Sequence, residues 1–320
     1  MNLLTPVLLL LALSGCSSEV VPDFTQTCRA FFANPAGTQS PPTVFPGNNY
    51  KQICQVRYNT YEYATLYDTA NRIPVYSAYK FEGIKDCDRS DNWYIEPQLE
   101  DRDNEAEMAP ESSMLQIDNQ AVNEDYDNSG YDRGHLAPVY HARSPSCSDA
   151  TFTLTNAAPQ DRSFNRGQWR KTERDVAHTL NQKCLPNSAF IVTGVVPDYN
   201  KPPLKNRVRI PGYFWTAYCC LDNNLQVKAA RGFIGENRNI PVKEMSVSDL
   251  DAVLTILYGN RPFSVFGGRC NKSSSVDFRW LRLIRHCQRR VSTASQKRCV
   301  ERLLKLMSQR RMFLPDEEET

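Results

Sequence analysis

Three stretches carry side chains of types and spacings that could do chemistry together: Tyr131-Asp132-Arg133-Gly134-His135-Leu136-Ala137-Pro138, then Leu154-Thr155-Asn156-Ala157-Ala158-Pro159-Gln160, then Asn165-x-x-x-Trp169-x-x-x-Glu173. His135 is the one histidine embedded in such a cluster, and an imidazole with an ordinary pKa near 6.5 suits the removal of a proton from water at neutral pH. Asn165 offers a neutral oxygen to a divalent cation. Glu173 follows eight residues later, slightly more than two helical turns, so its carboxylate can share that face and hold water around the same cation. Arg133 supplies a planar, forked cation whose geometry matches phosphate oxygens. Those are the parts needed to hydrolyse a phosphodiester. Singly, each has a plainer reading, since a histidine after Arg-Gly suits a turn or a core and an asparagine suits a helix cap. Their joint spacing favours a site.

The elements that must position these groups follow from periodicity. A helix is expected from Asn165 to Cys184, with Trp169, Val176 and Leu180 on one face. Upstream, the β-rich runs 63–67 and 75–79 flank a turn-prone segment and read as a hairpin. Downstream, the runs 189–196, 213–220 and 227–234 are too continuously apolar for surface strands and imply a sheet covered by helices. Residues 100 to 130 read as a long surface loop, and Ser248 to Tyr258 as an amphipathic helix capped by Ser246 or Ser248. The runs Phe278 to Gln288 and Gln296 to Phe313 read as two basic helices that Cys287 and Cys299 can staple, either a packed hairpin or a phosphate-binding face.

At 320 residues and 41% hydrophobic content the chain can bury a substantial core. Its net charge of +2 assigns no polyanionic partner by bulk electrostatics. The apolar run Leu3 to Ala12 and the small residues after it have the pattern of a secretory signal peptide over residues 1–18, too short to span a bilayer. Leu13-Ser14-Gly15-Cys16 would also pass as a lipoprotein cleavage site. The ten cysteines after Cys16 fit five disulfides in an exported protein, and the triplet Asn271-Lys272-Ser273 is a glycosylation acceptor. Absence of any Cys-x-x-Cys pair argues against structural zinc. No Gly-rich phosphate loop and no Gly-x-Ser-x-Gly elbow is present, which removes those enzyme classes. The expected organisation is a signal peptide (1–18), an irregular segment (19–50), one domain (51–270) and a basic helical extension (271–320).

The string Asp-Arg-Gly-His-x-Ala-Pro, followed by Asn-x-x-Pro-Gln and Asn-x-x-x-Trp-x-x-x-Glu, resembles the DNA/RNA non-specific endonuclease family with its ββα-metal, or His-Me finger, site. Within it, residues 64–79 and 95–99 are most similar to endonuclease domain-containing 1 proteins, the likeness covering roughly residues 50 to 270. That resemblance implies an α+β fold with a central mixed or antiparallel sheet flanked by helices, His135 at a strand end and Asn165 at the start of the next helix. It implies His135 as general base, Asn165 as the direct ligand of magnesium or manganese, Glu173 as an outer carboxylate, and Arg133 and Asn156 as supporting residues. The expected activity is secreted, metal-dependent, sequence-tolerant cleavage of the DNA and RNA backbone, with no stable membrane insertion. Nothing resembles a base-reading module, which agrees with contacts to the backbone.

Two departures from the family's pattern are visible. An arginine the family often carries upstream, near the counterpart of Trp93, is matched only by Arg89, out of register, and the turn after Glu173 carries Arg174 and then Asp175-Val176-Ala177. The alternatives are an extracellular nucleic-acid-binding or immune-interaction module on the same scaffold, and a phosphodiesterase for small nucleotides.

Overall fold

The computed structural model describes residues 19–90, 92–271, 278–290 and 292–310. The expected signal peptide and the second and third residues of the glycosylation triplet lie outside the described residues.

The main sheet forms from sequential hairpins. Strand β1 (Glu19–Val21) lies along β2 (Tyr50–Arg57), and β2 turns into β3 (Thr60–Asp68) through Tyr58 and Asn59. Both have positive φ, 51° and 58°, the geometry whose twist matches paired strands. The expected hairpin is β3 with β4 (Ile73–Phe81); its turn is held by the Asp68 carboxylate, which accepts from the Ala70 and Asn71 backbone N–H groups and the Asn71 amide. Strands β9 (Ala189–Pro197), β10 (Pro211–Leu221), β11 (Val227–Glu236) and β12 (Lys243–Met245) complete an eight-stranded antiparallel sheet in the order β1-β2-β3-β4-β9-β10-β11-β12. Between β4 and β9 the chain forms two ribbons, β5 (Tyr94–Ile95) with β6 (Ala109–Pro110) and β7 (Tyr131–His135) with β8 (Ala157–Asp161). Residues 100 to 130, expected as one long surface loop, are only partly irregular: they hold a 3-10 turn (Glu111–Ser113) and the short helix α2 (Asn123–Tyr126), and they bury Met108, Gln120, Ala121, Asp125 and Tyr126.

Period-two alternation sends neighbouring side chains to opposite faces. On one face Tyr76, Ala78, Val192, Trp215 and Ala217 pack with helix α6 (Val247–Leu257), whose N-cap is Ser246, accepting from the Asp249 backbone N–H. The terminal helices α7 (Phe278–Gln288) and α8 (Thr293–Arg310) join that core through Ile284, Cys287, Val300, Leu303 and Leu304, with Cys287 bonded to Cys299. The basic C-terminal pair is therefore a packed hairpin, on the sheet face away from the clustered chemical residues.

Segment 19–50 is short on regular structure, with helix α1 (Phe24–Thr27) and two 3-10 turns, but it is not a mere approach. Phe24, Phe31, Phe32 and Phe45 are buried in the same core and Cys28 is bonded to Cys54. The expectation of five disulfides is corrected: four are present among the described residues, Cys184–Cys220 and Cys219–Cys270 being the others, while Cys87 and Cys147 are thiols. Cys147 is buried beside Glu62, and desolvation pushes its thiol up to about 12, so it is held protonated.

The other face carries the ββα unit. Ribbon β7–β8 leads into α4 (Arg162–Phe164) and the longer α5 (Arg170–Lys183), while short helices α2 (Asn123–Tyr126) and α3 (Pro145–Ala150) flank it. Phe164 and Trp169 pack on Phe214, and Val176, Ala177 and Leu180 pack with Tyr79, Ile191 and Tyr218.

Candidate active site

Strand β7 ends on His135, and the pairing of Gly134 with Ala158 sets β7 against β8. Gly134 has no alternative: a Cβ there would lie 2.3 Å from the Gln160 side-chain oxygen, so any side chain would push the ribbon apart. Past β8, the Asp161 carboxylate caps the turn by accepting from the Phe164 backbone N–H. The apolar periodicity implies a plain helix from Asn165. Instead Asn165–Trp169 is a π-helical turn kinked at Gly167 (φ −109°, ψ −108°), and regular α-helix resumes at Arg170. Such wide turns recur at functional sites because they re-aim a side chain without breaking the helix.

His135, Arg133, Asn165 and Glu173 line one cleft, together with Asp132, Arg89, Trp93, Arg170 and Arg174. The His135 ring lies 4.9 Å from both the Trp93 and Phe152 ring centres, tilted against one and edge-on to the other. Its Nε2 is buried without a hydrogen-bond partner among the described residues. Burial, helped by the Arg89 charge, lowers its pKa to about 3, well below the ordinary value near 6.5 expected from the sequence, so the ring is neutral at pH 7 and a weaker proton acceptor than an exposed imidazole. Desolvation drives Glu173 the other way, up to about 8, with Arg89 and Arg170 pulling it back. Arg133 lies over the Trp93 and Tyr126 rings, 5.7 and 5.3 Å from their centres, and donates to the Asn123 carbonyl. The out-of-register Arg89 nevertheless reaches the cleft, 5.3 Å over the Phe152 ring.

Asn156 is not in the cleft. It is fully buried with its amide saturated: Oδ1 accepts from Ser77 Oγ and the Ala137 backbone N–H, and Nδ2 donates to the Ala137 and Thr151 carbonyls. It therefore cannot meet a substrate, and it fixes the turn that follows His135.

Two residues went unassigned by sequence reasoning. Asp132 lies inside the quoted motif, yet its partners come from 33 and 34 residues on: it accepts from Asn165 Nδ2 at 2.9 Å and from both Nε and an Nη of Arg166. Tying down the amide nitrogen turns the Asn165 carbonyl oxygen away, and that oxygen accepts no hydrogen bond among the described residues. His141 looked like a scattered histidine. Its Nε2 lies 2.8 Å from the Glu173 carbonyl, an acceptor only, so this nitrogen carries the proton and Nδ1 accepts from Tyr79 Oη at 2.9 Å. It thereby fixes the helix that bears Glu173.

Among the described residues no group of three or more His, Cys, Asp or Glu side chains is arranged to hold a metal. One free amide oxygen beside a carboxylate is instead the donor set of a small hard cation that keeps most of its water. The residues fit such an ion.

The family model for DNA/RNA non-specific endonucleases matches residues 40–258. The human endonuclease domain-containing 1 protein is 34% identical over 71% of this chain and 45% of its own length, and the mouse protein is 32% identical over the same shares. The chain thus spans less than half the length of these curated relatives. Bovine mitochondrial endonuclease G is 40% identical over 33% of this chain and 38% of its own. Among solved structures, a chain of the EndoG/EndoGI complex aligns with 65% of this chain and 84% of its own, at 22% identity and a TM-score of 0.48.

Proposed function

The chain belongs to the DNA/RNA non-specific endonuclease family, and from that premise we propose that it is a secreted, divalent-metal-dependent endonuclease hydrolysing the DNA and RNA backbone with little sequence preference. The observation that carries this reading is the convergence of His135, Arg133, Asn165 and Glu173 on one cleft from a strand end, a π turn and a helix. In that reading a ring nitrogen of His135 takes a proton from water as the water oxygen bonds to phosphorus. The phosphorus–oxygen bond to the leaving sugar breaks, and the leaving oxygen is protonated from solvent. Arg133, Arg89 and Arg170 face the added negative charge. Asn165 and Glu173 would hold a magnesium or manganese ion, which when bound offsets charge on the phosphate and leaving oxygen. Asn156, Asp132 and His141 position the groups that meet the substrate.

Export is supported by the leader-like residues 1–18 and by four disulfides, which persist in an oxidising compartment. No helix among the described residues is long and apolar enough to cross a membrane. The domain arrangement proposed is a catalytic unit over residues 51–270 and a helical extension over 271–320, supported by the packing of α7 and α8 on the core.

The test is incubation of the purified protein with plasmid DNA and with RNA, with magnesium or manganese and with EDTA, beside His135→Ala. Metal-dependent cleavage that disappears in the variant is expected. Cleavage undiminished in His135→Ala would sink the assignment of the base, and no cleavage under any metal would leave a binding module on a nuclease scaffold.

A further inference from the structure

A second groove opens off the cleft along the exposed side of α5, lined by Tyr140, Arg166, Arg170, Lys171, Arg174 and His178. It shares Tyr140, Arg166, Arg170 and Arg174 with the cleft, so the two are continuous. Its charge is unspent. Arg166 is held by Asp132, but Arg170, Lys171 and Arg174 make no salt bridge among the described residues, and Asp175 is the one acid in the groove's lining. All three are exposed and, at positions 170, 171 and 174, cover one side of about a helical turn, a rise near 5.4 Å. The groove is also ordered from its far wall: the Arg174 guanidinium lies 5.7 Å over the Tyr140 ring, and Tyr140 Oη sits 3.4 Å from His178 Nε2. A ring that holds an arginine in place without neutralising it leaves the guanidinium edges open to an anion.

We propose that this groove is a subsite for the polynucleotide strand beside the scissile phosphate, with Lys171 and Arg174 holding one or two flanking phosphates, Tyr140 setting the direction of Arg174, and Arg170 standing where the groove meets the cleft. The assignment rests on the nuclease reading of the adjoining cleft. It adds that the enzyme engages chain on a defined side of the bond it cuts, independently of sequence, since every group offered is a cation aimed at backbone.

The test pairs binding with cleavage in wild type and Lys171→Ala/Arg174→Ala, using fluorescein-labelled single-stranded oligonucleotides of stepped length. In EDTA, anisotropy titrations over a range of salt should show weaker binding in the variant, with the log–log salt slope shallower by about 1.4 for two lost phosphate contacts. With magnesium, the KM for the longer oligonucleotides should rise about tenfold or more, and the advantage of long over short substrates seen in wild type should shrink. Arg174→Lys, which keeps the charge, should recover part of the loss. Identical salt slopes and identical length dependence in wild type and variant would overturn the subsite. A wild type that binds with the expected salt slope but cuts nothing would overturn the catalytic reading and leave the groove supported.

Discussion

The two faces of the eight-stranded sheet are closed in opposite ways. Toward α6, α7 and α8 the contacts are apolar: Trp215 is fully buried, its Nε1 donates to Tyr258 Oη, and Tyr258 Oη donates to the Val195 carbonyl, so even the polar tips are paired. Toward the ββα unit the sheet buries polar side chains, and several are incompletely satisfied. Gln160 has both side-chain polar atoms buried without partners, and Arg133 Nε and His135 Nε2 are in the same state. Unpaired buried polar groups cost free energy. Arg133 and His135 line the cleft and Gln160 lies behind it on the same ribbon, a concentration of unpaired polar groups typical of a site kept for function rather than for stability.

That division predicts separable consequences. His135→Ala should lower kcat by about a thousandfold, within the range ascribed to a general base, with an unchanged circular dichroism spectrum; a variant that instead unfolded would place His135 on the structural side of the division. Trp215→Ala should remove about 3–5 kcal/mol of stability in denaturant titration while activity per folded molecule holds, the cost of a large cavity. If its kcat fell in step with stability under conditions where it is fully folded, the two faces would be coupled and the contrast wrong. Asp132→Ala frees the Asn165 amide, so the magnesium concentration for half-maximal activity should rise about 10- to 100-fold, as for other groups that orient a ligand. An unshifted metal titration would remove Asp132 from that role.

The smallest effect expected comes from His141, which sharpens the contrast because it lies beneath the cleft. Burial lowers its pKa from 6.5 to about 4 in the folded state. Below pH 6.5 the unfolded chain takes up a proton that the folded chain refuses, so its contribution is complete above about pH 6.5 and is lost as pH falls toward 4. By pH 5 the loss is about 2 kcal/mol. Chemical denaturation at pH 7 and pH 5 should therefore show a smaller difference in His141→Gln than in wild type; equal differences would mean that the imidazole is protonated in the folded protein.

Much of this was legible in order along the chain. The strands 189–197, 211–221 and 227–236 announce themselves by continuous apolar and aromatic runs, and α6 by its period and its serine cap, because these signals are local. That His135, Asn165 and Glu173 would share one cleft was legible for the same reason: they stand at fixed offsets on a ribbon and a helix that are consecutive in sequence. What was not legible depended on partners distant in sequence. Asn156 belongs to the motif, yet only the fold reveals that all four of its hydrogen-bonding positions are consumed in holding Ser77, Ala137 and Thr151. Segment 19–50 lacks periodicity because its aromatic residues fill gaps against the sheet rather than line a regular element, so Phe24 and Phe45 were invisible as core. Arg89 is out of register in the chain and in reach in space, since an irregular loop can deliver a long side chain from several positions. The sequence by itself determined the elements and the inventory of chemical groups, which follow from period, caps and spacing. Only the tertiary structure decided which groups face solvent in the cleft, which are locked beneath it, and on which side of the sheet the basic C-terminal helices pack, because burial and charge coupling arise from contacts between residues that the chain order keeps apart.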